Sequence, residues 1–218
     1  QLEILEAYHE QELGDYVPRR QLYDLDRAMP RITRGIRTHR QFGTTRVKDF
    51  LKTDLSKVPF KSANSLSTML FINEGERFVP KPLPAEAQFT PAFYAGTADF
   101  DNDGNEDMFL SQNMLSLSEN YSRQDAGRGL WLKGNGKGAF EAVPAHKSGI
   151  LIYGEQRGAG LSDFNKDGKV DLAVTQVGQE TRLFLNQTEQ SGIRVKLDGP
   201  DVNPDGIGSG IRIRYQNG

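Results

Sequence analysis

Two short acidic loops in this chain combine residue types at a spacing suited to holding a metal ion. They run from Asp99 to Asp107 and from Asp163 to Asp171, with acids or an amide at the first, third, fifth and ninth positions and glycine at the sixth. Such side chains supply hard oxygen atoms, and calcium takes about six to eight of these at roughly 2.3–2.6 Å. The spacing therefore predicts one calcium ion in each loop, two sites in all.

The glycines, Gly104 and Gly168, permit the sharp turn that directs the seventh carbonyl inward, and the ninth residue closes the cage. Magnesium is a poorer match because it resists dehydration and requires a tighter octahedron. Because the second loop has an amide in place of one carboxylate, we expect the first site to fill before the second. The predicted ligands are Asp99, Asp101, Asp103, the Asn105 carbonyl and Asp107 in the first loop, and Asp163, Asn165, Asp167, the Lys169 carbonyl and Asp171 in the second.

Other kinds of acidic loop fit less well. An EF-hand requires a bidentate glutamate at the twelfth position and helices on both sides, but that position holds Leu110 and Val174 in β-rich segments. A dockerin-like loop fails for the same reason. A polar turn without a metal remains an alternative, although two copies in register make it the weaker one.

No catalytic residue is predicted. The chain has no cysteine, and its three histidines lie far apart, without the spacing of a zinc protease. The close carboxylates of the loops suit one ion better than two opposed groups of a glycosidase. Glu155 and Arg157 could line a pocket, but a surface ion pair is the favoured interpretation.

The acidic loop belongs to a longer internal repeat. A second marker, an apolar strand followed by an Asn/Gly turn and phenylalanine, occurs at Met69–Phe78 and Trp131–Phe140, and a third copy begins at Leu183. Both markers recur after roughly 60 residues, within the range of repeat architectures.

Each repeat is predicted to contain short β-strands separated by Gly, Asn and Asp turns. Four such strands to a unit are typical of propeller blades. We therefore predict a mainly β protein, a partial β-propeller of four-stranded blades. The predicted strands of the two repeats are Phe93–Phe100, Asp107–Ser111, Gly129–Leu132 and Ala139–Val143, then Gly158–Phe164, Asp171–Thr175 and Thr181–Leu185.

The first third of the chain differs. Leu2–Tyr8 is predicted to be a strand, with a hairpin partner beginning at Tyr16. The segments Leu22–Met29 and Thr45–Leu51 have helical character, and Pro30 ends the first of them. We interpret residues from about 20 to 60 as a small helical insertion.

Charge and hydropathy exclude two classes of partner. The formal net charge is −2, with acids and bases mixed along the chain, so no field that attracts nucleic acid is expected. The longest apolar runs are far shorter than the roughly 18 residues of a transmembrane helix, so no membrane span is predicted.

The loops and strand markers resemble the FG-GAP/VCBS repeat of integrin-α-like β-propellers. The segments Gly192–Gly199 and Asn203–Arg214 look like the start of an ASPIC/UnbV domain, which follows such repeats in the cartilage-acidic-protein-like family. Pro82–Gln88, Arg128–Trp131 and Tyr153–Arg157 also resemble bacterial members. The resemblance implies calcium in the blade hairpins, an extracellular, periplasmic or cell-surface location, and a binding or adhesion role.

The repeats divide the chain into four predicted parts. These are a partial blade with the helical insertion (1–88), a first blade with a calcium loop (89–150), a second (151–190) and an ASPIC/UnbV-like segment (191–218). A closed propeller needs about four to eight blades. We therefore expect a piece of a larger propeller or a partial fan of blades.

Three functions remain open from the sequence. The leading hypothesis is a non-catalytic scaffold that binds a protein or a glycan, with the Gln112–Arg128 connection and the helical insertion as contact surfaces. The alternative is a propeller-type hydrolase or lyase whose active site lies partly outside this fragment. The third is a purely structural repeat, since fold does not decide function.

Overall fold

The computed structural model describes residues 4–30, 33–52, 54–117, 121–190, 192 and 195–212. The chain separates into two compact units, Gln1–Leu66 and Ser67–Gly218.

The first unit combines one hairpin with short helices. Strand β1 (Ala7–Glu10) pairs with β2 (Asp15–Pro18). The helices are α1 (Leu22–Ala28), α2 (His39–Gly43) and α3 (Val47–Leu51), followed by a 3-10 turn at Leu55–Lys57. Leu25 and Phe42 form the buried core. The helical character expected between residues 20 and 60 is therefore present.

The predicted strand Leu2–Tyr8 is displaced toward the C-terminus. Its first two residues lie outside the described residues, Ile4–Glu6 are not in a strand, and β1 begins only at Ala7. The short turn after Glu10 sets this register, because it places Asp15 opposite Glu10 and so Pro18 opposite Ala7. The hairpin partner beginning near Tyr16 was correctly predicted.

The second unit is built around a four-stranded antiparallel sheet. It consists of β5 (Ala92–Ala98), β6 (Asp107–Gln112), β7 (Leu130–Gly134) and β8 (Phe140–Val143), paired in chain order. This is the meander expected of one propeller blade.

Two smaller sheets belong to the same unit. A hairpin of β3 (Met69–Asn73) and β4 (Phe78–Pro82) precedes the four-stranded sheet, with a 3-10 turn at Ala85–Gln88 between them. After the short helix α4 (Ala145–Ser148) comes a three-stranded sheet of β9 (Gln156–Ser162), β10 (Asp171–Gln176) and β11 (Gln179–Phe184).

Strand β6 is buried on both faces, and this places the four-stranded sheet between its neighbours. Successive side chains of a strand point to opposite faces. Met108 and Leu110 pack with Leu70 of the β3–β4 hairpin in one cluster, while Phe109 packs with Val174 of β10 in another. The three sheets are therefore stacked face to face, as blades are.

The prediction of a mainly β fold is confirmed, and the stacked antiparallel sheets are compatible with a partial propeller. The division into four parts stays a prediction. Among the described residues, no helix is long and apolar enough to cross a membrane.

Candidate metal centre

The first acidic loop connects the first two strands of the four-stranded sheet. It leaves β5 after Ala98 and enters β6 at Asp107. Its backbone is left-handed at Asn102, with φ 55°, and at Gly104, with φ 90°. These two positions fold the loop back on itself, and asparagine and glycine are the residues that adopt such angles at least cost.

Backbone amides fix two of the aspartates. Asp99 accepts hydrogen bonds from the N–H of Asp103 at 3.0 Å and of Gly104 at 2.8 Å. Asp107, which is fully buried, accepts from the N–H of Phe100 at 3.2 Å and of Gly134 at 2.8 Å. Because Gly134 ends β7, the neighbouring strand helps to hold the site.

Three carboxylates of this loop converge. Asp99, Asp101 and Asp107 each offer one oxygen, and these oxygens lie within 4.8 Å of one another. The Oδ1 atom of Asp101 is buried and has no hydrogen-bond partner. A buried carboxylate oxygen without a donor is unfavourable unless a cation compensates it. The residues present therefore fit a hard cation.

The remaining predicted side-chain ligand of the first loop lies outside this trio. Asp103 accepts from the backbone N–H of Asn105 at 2.9 Å, and its Oδ2 lies 2.8 Å from the ammonium of Lys133. The same ammonium also contacts Oδ2 of Asp101. The structure thus gathers three of the four predicted aspartates around one point and pairs the fourth with a lysine.

The electrostatics of the loop follow from burial and from this lysine. Burial raises the pKa of Asp107 against the lowering effect of the Gly134 and Phe100 amides, and the Asp101 charge raises it further. The hydrogen bond from Lys133 lowers the pKa of Asp103, and the two aspartates raise the pKa of Lys133 above its ordinary value. The loop thus gathers negative charge from one fully buried and several partly buried carboxylates.

The second acidic loop has the same backbone skeleton. It joins β9 to β10, and its left-handed residues are Lys166 and Gly168. Asp163 accepts from the N–H of Asp167 at 2.9 Å and of Gly168 at 3.0 Å. Every one of these contacts has its counterpart in the first loop, so the repeat seen in the sequence extends to the hydrogen bonds.

The ninth acid of the second loop is held in the same way. Asp171 is buried and accepts from the N–H of Phe164 at 2.9 Å and of Asn186 at 2.8 Å. Gly134 is the last residue of β7, and Asn186 lies two residues after the end of β11. In both loops one donor therefore comes from the end of the neighbouring strand.

The two loops differ in how far their oxygens converge. Among the described residues, only the first loop brings three acids together. In the second loop, the side-chain NH₂ group of Asn165 donates a hydrogen bond to the Asp167 carboxylate at 3.0 Å. Asn165 therefore pairs with a neighbouring acid and adds no carboxylate to a cluster. This difference agrees with the expected inequality of the two sites, and the order of filling stays a prediction.

Asn186 was not predicted as a site residue, yet it joins the two loops. Its side-chain amide donates to the Phe100 carbonyl at 2.7 Å and to the Val170 carbonyl at 3.1 Å. A second bridge runs from Asn102 to the Gln190 carbonyl at 2.8 Å. The signal in the sequence was the asparagine that follows each repeated apolar strand, at 73, 135 and 186.

Lys133 was also missed. It is the one charged residue in the strand Leu130–Gly134, directly before a turn, and this position gave the only sequence signal. Its contact with Asp101 depends on the pairing of β7 with β6, and no local sequence pattern predicts that pairing.

The pairing of Glu155 with Arg157 is confirmed, but its expected place on the surface was wrong. Glu155 is 3% exposed, and besides Arg157 it accepts from the N–H groups of Leu115 and Ser116 and from the Ser116 hydroxyl, each at 2.8 Å. These bonds tie the connection between β6 and β7 to the residues before β9. Glu155 is thus an anchor within the fold.

Comparison with known protein families agrees with this geometry. Residues 99–174 match the family model of the FG-GAP-like repeat, from the first aspartate of the first loop into β10. No curated protein matched the chain. The chain therefore contains an FG-GAP-like repeat that spans both acidic loops.

Proposed function

We propose that this chain is a calcium-binding β-propeller segment that serves as a scaffold for binding another molecule, in the manner of an adhesion module, and that it is not a catalyst. The observation that carries the proposal is the convergence of Asp99, Asp101 and Asp107 around a buried oxygen that lacks a donor, within an FG-GAP-like repeat.

The first loop would hold the ion with these three carboxylates, assisted by Asp103 and the Asn105 carbonyl. The second would use Asp163, Asn165, Asp167, the Lys169 carbonyl and Asp171. Hard oxygen ligands on a short, flexible loop favour calcium over magnesium. The ion would supply positive charge that neutralises buried carboxylates and fixes the strand-to-strand connection.

A scaffold role is favoured because each loop joins two neighbouring strands of a packed sheet. An ion bound there stabilises the folded state by mass action, by about 2.7 kcal/mol at a free concentration one hundred times Kd. Outside the loops, the most buried acid of the described chain, Glu155, is fully engaged by donors of the fold. No group in that cluster is free for acid–base chemistry.

The binding partner is proposed to be a protein or a glycan, contacted through the Gln112–Arg128 connection or the helical segment between residues 20 and 60. Connections on a rigid scaffold commonly carry recognition. We further propose an ASPIC/UnbV-like segment at 191–218, membership in the cartilage-acidic-protein-like family, and an extracellular, periplasmic or cell-surface location.

Thermal unfolding with and without a chelator tests the metal. We expect the melting temperature to fall in EDTA, by roughly 5–10 °C for one site well above its Kd in a unit of this size, and to recover with calcium but not with equimolar magnesium. The matched variants are Asp99→Asn in the first loop and Asp198→Asn, an exposed carboxylate outside both loops.

Asp99→Asn should lose most of the response that the first site contributes, whereas Asp198→Asn should melt and respond like the wild type. An identical melting temperature of the wild-type protein in calcium and in EDTA would contradict the calcium assignment.

A further inference from the structure

The ammonium of Lys133 lies beside the acidic trio of Asp99, Asp101 and Asp107. The lysine side chain extends from β7, and its ammonium contacts Oδ2 of Asp101 and Oδ2 of Asp103, the latter at 2.8 Å. Its side chain is 42% exposed, while those of the two aspartates are 22% and 25% exposed. The lysine therefore reaches the loop from the solvent side and can leave it without unfolding β7.

The second loop has no equivalent lysine, and the hydrogen bonds establish the correspondence. Gly134, the residue after Lys133, donates its N–H to Asp107 at 2.8 Å. In the second repeat the N–H of Asn186 donates to Asp171 at the same distance. The residue that precedes Asn186 is Leu185, which is 45% exposed. Leu185 thus stands where Lys133 stands in the first repeat.

The lysine accompanies the extra carboxylate. Among the predicted ligands, the first loop has four carboxylates and the second has three. Among the described residues, a lysine ammonium pairs only with carboxylates of the first set. Asp101 and Lys133 in the first repeat correspond to Asn165 and Leu185 in the second, so the additional acid and its counter-charge form one pair.

This pair must respond when a divalent cation enters. A cation bound by Asp99, Asp101 and Asp107 would share Asp101 with the Lys133 ammonium, and the two positive charges would repel each other across that carboxylate. One oxygen of Asp101 faces the lysine and the other is buried without a donor. Asp101 is thus the point of competition.

We propose that Lys133 is a built-in counter-ion that holds the first loop in its ion-free form and is displaced from Asp101 when a divalent cation binds. This rests on the proposed function, namely that the first loop takes such a cation. Lys133 then sets two properties of the site. It stabilises the empty loop, and it weakens the affinity of the loop for the ion.

The direct test replaces Lys133 with methionine, which is unbranched and only one atom shorter and removes the charge. Binding is measured by titration calorimetry with calcium chloride, and melting is measured in EDTA. An Asp163→Asn background removes the second loop from the titration. Lys137→Met is the matched control, because Lys137 is exposed in the turn that follows β7 and involves the same loss of charge.

We expect Lys133→Met to bind calcium about tenfold more tightly, to melt at a lower temperature in EDTA, and to gain more from calcium than its parent. Lys137→Met should match its parent in all three measurements. The reverse change in the second loop, Leu185→Lys, made in an Asp99→Asn background, should weaken calcium binding and raise the melting temperature in EDTA.

The outcomes separate the two proposals. If the parent binds calcium and Lys133→Met binds it with the same or lower affinity, the role of Lys133 is refuted while the calcium site stands. If Lys133→Met does not fold without calcium, its recovery by calcium supports the counter-ion role, and no recovery overturns it. If the wild-type protein shows no calcium binding, the proposed function and this inference fail together.

Discussion

At the scale of residues, the fold buries acids in two different ways. Glu155 is surrounded by donors, so its charge is satisfied without any ion. In the first loop, by contrast, one oxygen of Asp101 is buried without a partner. A buried acid therefore does not mark a metal site by itself. An unsatisfied carboxylate oxygen is the stronger indication, because no donor among the described residues compensates its desolvation.

The environment of Glu155 predicts a pH dependence of stability. Burial by itself would raise its pKa, but the amides of Leu115 and Ser116, the Ser116 hydroxyl and Arg157 outweigh this effect and lower the pKa to about 2. A group whose pKa is depressed in the folded state stabilises the fold above its unfolded pKa. That contribution is complete above about pH 5 and is lost as the pH falls toward 2.

Replacing Glu155 with glutamine should therefore destabilise the protein at neutral pH by on the order of 2–3 kcal/mol, and the difference from wild type should shrink as the pH is lowered. Urea unfolding in EDTA between pH 7 and pH 3 measures it. Glu141→Gln, on strand β8, is the control, since Glu141 is exposed. A constant difference at every pH would show that Glu155 acts only by packing.

At the scale of elements, an asparagine at or just after the end of β3, β7 and β11 builds the same kind of turn. The side-chain oxygens of Asn73, Asn135 and Asn186 each accept the N–H of the residue two positions later, at 2.8, 2.9 and 2.9 Å. Asparagine favours such turns because its side chain replaces a backbone acceptor. In the third copy the same asparagine also uses its amide group to join the two acidic loops.

Asn186→Ala should be costly for this reason. It removes the turn bond and both donors to the Phe100 and Val170 carbonyls, so we expect a loss of about 1–3 kcal/mol in the free energy of unfolding. Urea denaturation checks it. Gln187→Ala, an exposed neighbour, should change stability by less than about 0.5 kcal/mol. Equal effects of the two substitutions would contradict the bridging role.

At the scale of the whole molecule, the candidate metal chemistry belongs to one unit. Both acidic loops lie within Ser67–Gly218, as do the clusters centred on Leu110 and on Phe109. The clusters pack both faces of β6, and the amide bridges of Asn186 and Asn102 cross from one repeat to the next. These contacts, which position the loops, lie within this unit.

A polypeptide of residues 67–218 should accordingly fold and keep its response to calcium. We expect the same rise in melting temperature on replacing EDTA with calcium as for the whole chain. Circular dichroism melts of both polypeptides provide the comparison. If the shorter polypeptide unfolds irreversibly or loses the calcium response, residues 1–66 contribute to the site.

The sequence predicted much of the fold because repeats and short-range rules carry it. The β-rich runs, the Asn and Gly turns and the spacing of the loops placed β5 to β11 within a few residues. The N-terminal strand was displaced, because the tight turn after Glu10 fixed the register of a short hairpin whose apolar pattern was weak. Glu155 was misplaced because burial depends on neighbours that are distant in sequence.

By itself, the sequence determined that two equivalent acidic loops exist, what ligands each offers, and that the first has the greater charge. Those are local facts, set by residue type and by spacing on a continuous backbone. Only the tertiary structure decided that Asp101 faces Lys133, that Gly134 and Asn186 supply donors to the ninth acids, and that Glu155 is buried. Each of these depends on strands pairing across the sheet, where residues far apart in the chain come within hydrogen-bonding distance.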